Sequence, residues 1–246
     1  MNNYRIVLSY DGTDYFGWQR QPSCRTIQGT VEAALERLAA TPIAIFGAGR
    51  TDAGVHALGQ TASFKAEFKL GEPELFKALN AILPPDIRIL SLATAPAAFH
   101  ARRSARGKTY QYRIVTSPSI SPFDLRFALH WPHPLNLAKL RRAAALFVRH
   151  ADFQGFSSNR DRSPIRRVTR SEIRRRGDEI IYTVEADGFL RYMVRTIVGT
   201  LLEVGRGRVP VERIEEIFAG RERSLASPTA PAKGLCLLKV DYGSER

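Results

Sequence analysis

The sequence is poor in the residues that build covalent or metal-held scaffolds. Of its 246 residues only two are cysteine, Cys24 and Cys236, at opposite ends of the chain. That count argues against a disulfide framework or a zinc ribbon, and it fits a reducing cytoplasm. Long apolar runs are missing as well: none approaches the ~18 residues that mark a membrane span. The opening "MNNYRIVLSYDG" has no basic region leading into an apolar core, so no secretory signal is expected. Acidic residues are scarce, with 24 Asp and Glu against 37 Lys and Arg, a formal net charge of +13. Such an excess speaks about partners more than about fold, and the usual partner is a polyanion. Arginine supplies much of it, as suits bidentate contact with phosphates.

What is present reads as alternating strands and helices. "YRIVLSY" at 4–10 is a strand ended by Asp11-Gly12. Thr26 is a candidate N-cap for a helix carrying Ile27, Val31, Leu35 and Leu38 on one face. Short strands are expected at 43–46 and 59–67, a helix opened by Pro73 and stopped by Pro84-Pro85, and a strand at 87–93. After about residue 104 the pattern begins again. Strands are expected at "KTYQYRIVT", "RFALHW", 166–175 and 179–187, with a helix from Asn136 to Val148. A long helix over 190–204, a short one between Pro210 and Gly220, and a last strand "GLCLLKVDY" complete the chain. Several strands are adjacent and no run of β-α-β units appears. The class is therefore α+β, with two similar halves (1–104 and 105–246), each a sheet with helices packed on one face.

The stretch "GAGRTDAGVHA", Gly47 to Ala57, invites three readings, and spacing weighs against each. A dinucleotide fingerprint needs a glycine where Asp52 stands, and a carboxylate there would repel a pyrophosphate. A phosphate loop needs Lys and Ser or Thr where Val55-His56 follow Gly54. A metal needs a second ligand near His56, yet the next histidine is His100. What remains is an aspartate in a tight glycine turn, two residues after Arg50. It is either a turn-capping Asp or an ionised carboxylate able to act as nucleophile or base.

Two arginine-rich segments bear on the partner. "FHARRSARGKTYQYR" carries Arg102, Arg103, Arg106, Lys108 and Arg113 interleaved with Phe99, Tyr110 and Tyr112. Tyr112 reads as core, whereas Tyr110, at the basic end of the strand, is equally suited to stack on a nucleobase. "NRDRSPIRRVTRSEIRRR" holds eight arginines, Arg166 and Arg167 among them, against Asp161 and Glu172. So dense a cluster suits a phosphate backbone better than a merely solvated face. On the long helix Arg191 reads as a surface or phosphate contact. Arg195, beside an apolar stripe, reads as a charge in need of a buried carboxylate, for which Asp52 is the natural candidate. The loop at 11–20, with Tyr15, Phe16, Trp18 and Arg20, is either a finger gripping RNA or a hydrophobic tether onto the protein's own core.

These motifs, in this order, resemble the bacterial tRNA pseudouridine synthase A family. The likeness lies in "YDGTDYFGWQRQ", "RTIQ", "GAGRTDAGVHALGQ", "FHARRSARGKTYQYRI", "GFLRYMVRTIVGTLLEVG" and "APAKGLCLLKVDY". Arg103 departs from the pattern of many relatives, at a position with no catalytic role. The lack of a terminal extension of the eukaryotic kind points to the bacterial type. The resemblance implies the pseudouridine synthase fold, a mixed, mainly antiparallel central sheet from two related halves. It implies conversion of uridines 38, 39 and 40 of the tRNA anticodon stem-loop to pseudouridine, without cofactor or metal, by a homodimer. It places the essential aspartate at Asp52, supporting arginines at Arg50 and Arg195, and the base-contacting tyrosine at Tyr110. RNA contacts are expected from Trp18, Arg20, Arg102, Arg106, Lys108, Arg166, Arg167 and Arg191. The rival reading, a non-catalytic RNA-binding protein, leaves the Arg50–Asp52 turn unexplained.

Overall fold

Alternation of side chains sets the first strand, β1 (Asn2–Tyr10). Tyr4, Ile6, Leu8 and Tyr10 are buried while Arg5, Val7 and Ser9 between them are only partly covered. That is the period-two pattern of a strand with one face on a core. The structure, a computed structural model, describes residues 1–243. It divides into two units: residues 1–106 together with 236–243, and residues 107–235.

In the first unit β1 is followed by α1 (Ile27–Ala39), β2 (Phe46–Gly47), β3 (His56–Ala66), α2 (Glu72–Ile82) and β4 (Ile87–Thr94). Strand β1 lies between β3 and β4, antiparallel to both, with Tyr4 opposite Phe64 on one side and Thr94 on the other. The Thr26 side chain accepts the Gly29 amide and caps α1, a contact worth about 1 kcal/mol. Pro73 stands in the first turn of α2, where its missing N–H costs nothing. Ile27, Val31 and Leu35 of α1 and Leu75 and Leu79 of α2 are fully buried.

The second unit contains β5 (Gly107–Val115), β6 (Leu129–His130), α3 (Leu137–Ala145), β7 (His150–Asp152), β8 (Ile165–Arg176), β9 (Glu179–Ala186), α4 (Met193–Gly205) and α5 (Arg213–Gly220). Strand β9 pairs antiparallel with β5 and β8, and β7 extends the sheet beyond β8. Gly177, at φ +58°, opens the two-residue turn between the paired Arg176 and Glu179, a conformation that favours glycine. Tyr112 and Tyr182 face each other across β5 and β9, both fully buried. Helix α3 packs on β8 and on α4. Among the described residues, β6 on β5 and the last strand, β10 (Leu235–Asp241), on β3 run parallel within the units. The α+β class and the mixed, mainly antiparallel sheet are as expected.

Three expectations need correction. Chain order puts the last strand with 105–246, but Cys236 and Leu237 pair with His56 and Ala57, so β10 groups with the first unit. Residues 43–45 form no strand, and the Ile45 backbone is taken up by side chains of α1. Gln28 donates to the Ile45 carbonyl and Glu32 accepts the Ile45 amide. Of "RFALHW" Leu129 and His130 form the strand on β5, and the Trp131 amide donates to the Val115 carbonyl at 2.8 Å, while the Phe127 amide is taken by a turn bond to the Asp124 carbonyl. Strand β7 carries too few residues for a period-two signal, and the sequence reading missed it.

Candidate active site

The Asp52 turn is made by glycine and closed by its own backbone. The Val55 amide donates to the Asp52 carbonyl at 3.1 Å, and Gly54 takes φ +76°. Thr51 and Val55 are buried on either side while Asp52 is half-buried, so the carboxylate sits at the surface end of a rigid support. Arg50 is exposed and makes no hydrogen bond or ion pair among the described residues. It therefore does not clamp Asp52 here and is open to an anionic ligand.

The 11–20 loop is what holds this turn. A β-carbon on Gly12 would lie 2.0 Å from the Val55 carbonyl oxygen, and one on Gly17, at φ +86°, 2.6 Å from that of Thr51. Such approaches are open only to glycine. The Trp18 amide donates to the Thr51 carbonyl at 3.0 Å, and the Gly54 amide to the Tyr15 carbonyl at 3.3 Å. The Gly12 amide reaches Nδ1 of the buried His56 at 3.1 Å, and Asp11 Oδ1 lies the same distance from that nitrogen. A neutral ring accepts the amide there, whereas a protonated one would donate to Asp11.

Two of the loop's three aromatic side chains, those of Tyr15 and Trp18, point inward. Tyr15 and Trp18 are 3% and 2% exposed, and the Trp18 ring fills the space that a side chain on Gly47 would need. Of the two readings of this loop, the tether describes Tyr15 and Trp18. Trp18 offers no face for a base to stack on, which corrects its assignment as an RNA contact. Phe16, 61% exposed, stays accessible. The Tyr15 hydroxyl donates to Asp86 and accepts from Arg25. Burial, and next the Asp86 carboxylate, push it well above the ordinary tyrosine value. Arg20 is exposed and paired with Glu32 at 3.2 Å.

Arg102 and Arg106 are exposed. Their neighbour His100 is held below the usual histidine range by burial, and then by the positive charges of Arg103 and Arg102. Arg102 and Arg103 together make this stretch positively charged, the kind of surface that draws in phosphates.

The second unit carries the remaining candidates. Tyr110 lies on β5 opposite Val184, 6% exposed, its ring edge-on to Phe189 at 5.1 Å between centroids. Lys108, nearer the strand's start, is half-buried. Arg195, in the first turn of α4, is half-buried. Its Nε donates to the Ala230 carbonyl at 2.8 Å, and its guanidinium lies 5.0 Å from the Tyr192 ring centroid. Arg191 is exposed and lies over the same ring. Arg167 is exposed, and Arg166 bonds back to the Ser163 and Ile165 carbonyls.

Sequence reasoning missed a buried polar group beneath the turn, made of Tyr10, Thr51 and Gln60. A signal existed, since "GQTAS" puts polar residues in succession through the interior strand β3, where apolar ones would be ordinary.

A family model described as "tRNA pseudouridine synthase" matches residues 6–102 and 143–243. Arg50, Asp52 and Arg195 fall inside those segments, and Tyr110 falls between them. The tRNA pseudouridine synthase A of Thermodesulfovibrio yellowstonii is 43% identical over 254 residues, covering 98% of this chain and 100% of the relative. That of Moorella thermoacetica is 43% identical over 244 residues, covering 97% and 98%. The Limosilactobacillus reuteri protein of the same name is 40% identical over 251 residues, covering 99% and 98%.

Proposed function

Because this chain belongs to the tRNA pseudouridine synthase family, we propose that it converts uridines 38, 39 and 40 of the anticodon stem-loop with Asp52 as the reacting carboxylate. The enzyme is an isomerase that turns uridine into pseudouridine in tRNA. The reaction breaks the C1′–N1 bond, turns the uracil and joins C1′ to C5, while the C5 proton is released and N1 regains one. Atoms balance without an oxidant or a transferred group, so the chain's own side chains suffice for it. The observation that carries the assignment of Asp52 is its setting: a half-buried carboxylate on a turn clamped by a second loop through glycine contacts. A carboxylate so held can meet the sugar or the base without first ordering its own backbone.

The supporting roles follow from chemistry. The target base must leave its stack. Exposed Arg50 supplies a cation for the displaced strand, Tyr110 an aromatic surface for the base, and Arg195 a positive charge that keeps a carboxylate ionised. Arg20, Arg102, Arg106, Lys108, Arg166, Arg167 and Arg191 supply phosphate contacts. The enzyme works in the cytoplasm as a homodimer on tRNA and uses neither metal nor cofactor.

Release of tritium from tRNA labelled at uracil C5 measures the reaction. Asp52→Asn is expected to bind tRNA within about threefold of the parent and to lose more than about 99% of the release. Retained turnover above that level would refute the role of Asp52.

A further inference from the structure

Three buried polar side chains lie under the Asp52 turn and take no part in the chemistry above. Tyr10 ends β1, Gln60 lies in the middle of β3, and Thr51 immediately precedes Asp52; they are 4%, 0% and 6% exposed. The hydroxyls of Tyr10 and Thr51 share a buried hydrogen bond of 2.8 Å. Gln60 Nε2 donates to the Gly49 carbonyl at 2.8 Å, its Oε1 accepts the Thr61 amide at 3.2 Å, and its side chain also hydrogen-bonds Tyr10. The Ala48 amide in turn donates to the Thr61 carbonyl at 2.8 Å. One connected group therefore grips the chain at Ala48, Gly49 and Thr51, on both sides of Arg50 and directly before Asp52.

Space-filling alone does not call for these residues. Apolar side chains of the same shape would fill the volume without desolvating hydroxyls and an amide. What a satisfied polar network adds is direction, because each bond holds one geometry. The network is neutral as well. Burial pushes the Tyr10 hydroxyl far above its ordinary value, so it remains protonated throughout the working range.

We propose that Tyr10, Thr51 and Gln60 are positioning residues that fix the height and orientation of Asp52 against the uridine. The inference rests on Asp52 being the reacting carboxylate. It acts through the turn backbone, where a displacement of about 1 Å can cost about 100-fold in rate.

Tyr10→Phe and Thr51→Val each delete one hydroxyl of the shared bond and keep the volume. In single-turnover tritium release each is expected to slow the reaction about tenfold or more, with tRNA affinity within about twofold of the parent. The double variant should be no slower than the slower single, because both changes remove the same bond. Thr51→Ser should restore most of the rate, and the pH profile of Tyr10→Phe should keep its shape while its height falls. Folded variants that lose only melting temperature and keep the parental rate overturn the proposal, as does a double variant whose losses multiply. If Thr51→Val does not fold, a slow Tyr10→Phe with a near-parental Thr51→Ser supports the proposal, and any other pairing overturns it. Asp52→Asn run alongside separates the two readings. An inactive Asp52→Asn beside fully active hydroxyl variants removes this inference alone, and an active one removes both.

Discussion

Tyr110 shows what a single residue can and cannot disclose. Its place at the basic end of a strand suits either the core or a nucleobase, and in the structure it is 6% exposed and packed edge-on against Phe189. If its ring is the surface the base meets, Tyr110→Phe should cost only a few-fold in rate, and Tyr110→Ala about 10- to 100-fold, the range of one lost stacking contact. Comparing tritium release per folded molecule checks this, and equal losses would assign the role to the hydroxyl. Asp52 became a candidate without coordinates: glycine spacing and missing ligands removed the nucleotide and metal readings, a turn-capping Asp and a reacting carboxylate both stayed open, and the family resemblance favoured the second. Trp18 was not. An aromatic in a polar loop reads alike whether it faces RNA or its own protein, and only the contact with Gly47 tells which.

At the scale of the element, loop 11–20 and the turn at 47–57 form one unit held by glycine. Gly17 combines φ +86° with backbone of Thr51, Asp52 and Ala53 lying 2.6–3.1 Å from where a β-carbon would stand, whereas Gly177, at φ +58°, has nothing within 4 Å. Gly17→Ala should therefore cost about 2–3 kcal/mol and lower the isomerisation rate. Gly177→Ala should cost about 1 kcal/mol from left-handed strain alone and leave the rate unchanged. Urea unfolding of both variants tests the order, and equal losses would mean that crowding at Gly17 is relieved by loop movement. Caps and periodicity made most elements legible, as with Thr26 before α1. Residues 43–45 misled because the backbone partners of Ile45 are side chains from α1, 17 and 13 positions away.

The whole molecule is marked by its charge and by its buried tyrosines. With a formal net charge of +13 and exposed Arg102, Arg106, Arg167 and Arg191, tRNA affinity should fall steeply with salt. An engagement of six phosphates or more would cost roughly a thousandfold between about 50 and 200 mM. Filter binding across that range checks it, and a flat response would remove the arginines from the interface. Stability should respond to alkali. Burial raises the hydroxyls of Tyr10, Tyr112 and Tyr182 well above the ordinary value of about 10. The folded chain thus keeps protons that the unfolded chain releases, so their contribution is intact below about pH 10 and is lost as pH rises beyond it. The melting temperature, followed by circular dichroism, should drop between about pH 9.5 and 11, and Tyr182→Phe should make the drop shallower. A melting temperature constant to pH 11 would contradict this.

The sequence by itself determined the α+β class, the polyanionic partner, most strand and helix positions and the candidacy of Asp52. Each of these rests on composition or on spacing along the chain. The tertiary structure decided which unit owns the last strand, where the aromatics of the 11–20 loop point, and which polar side chains lie beneath the Asp52 turn. Those answers depend on pairings such as Cys236 with His56, Tyr10 with Thr51 and Gly12 against Val55. Each joins residues remote in the chain, and local periodicity carries no record of them.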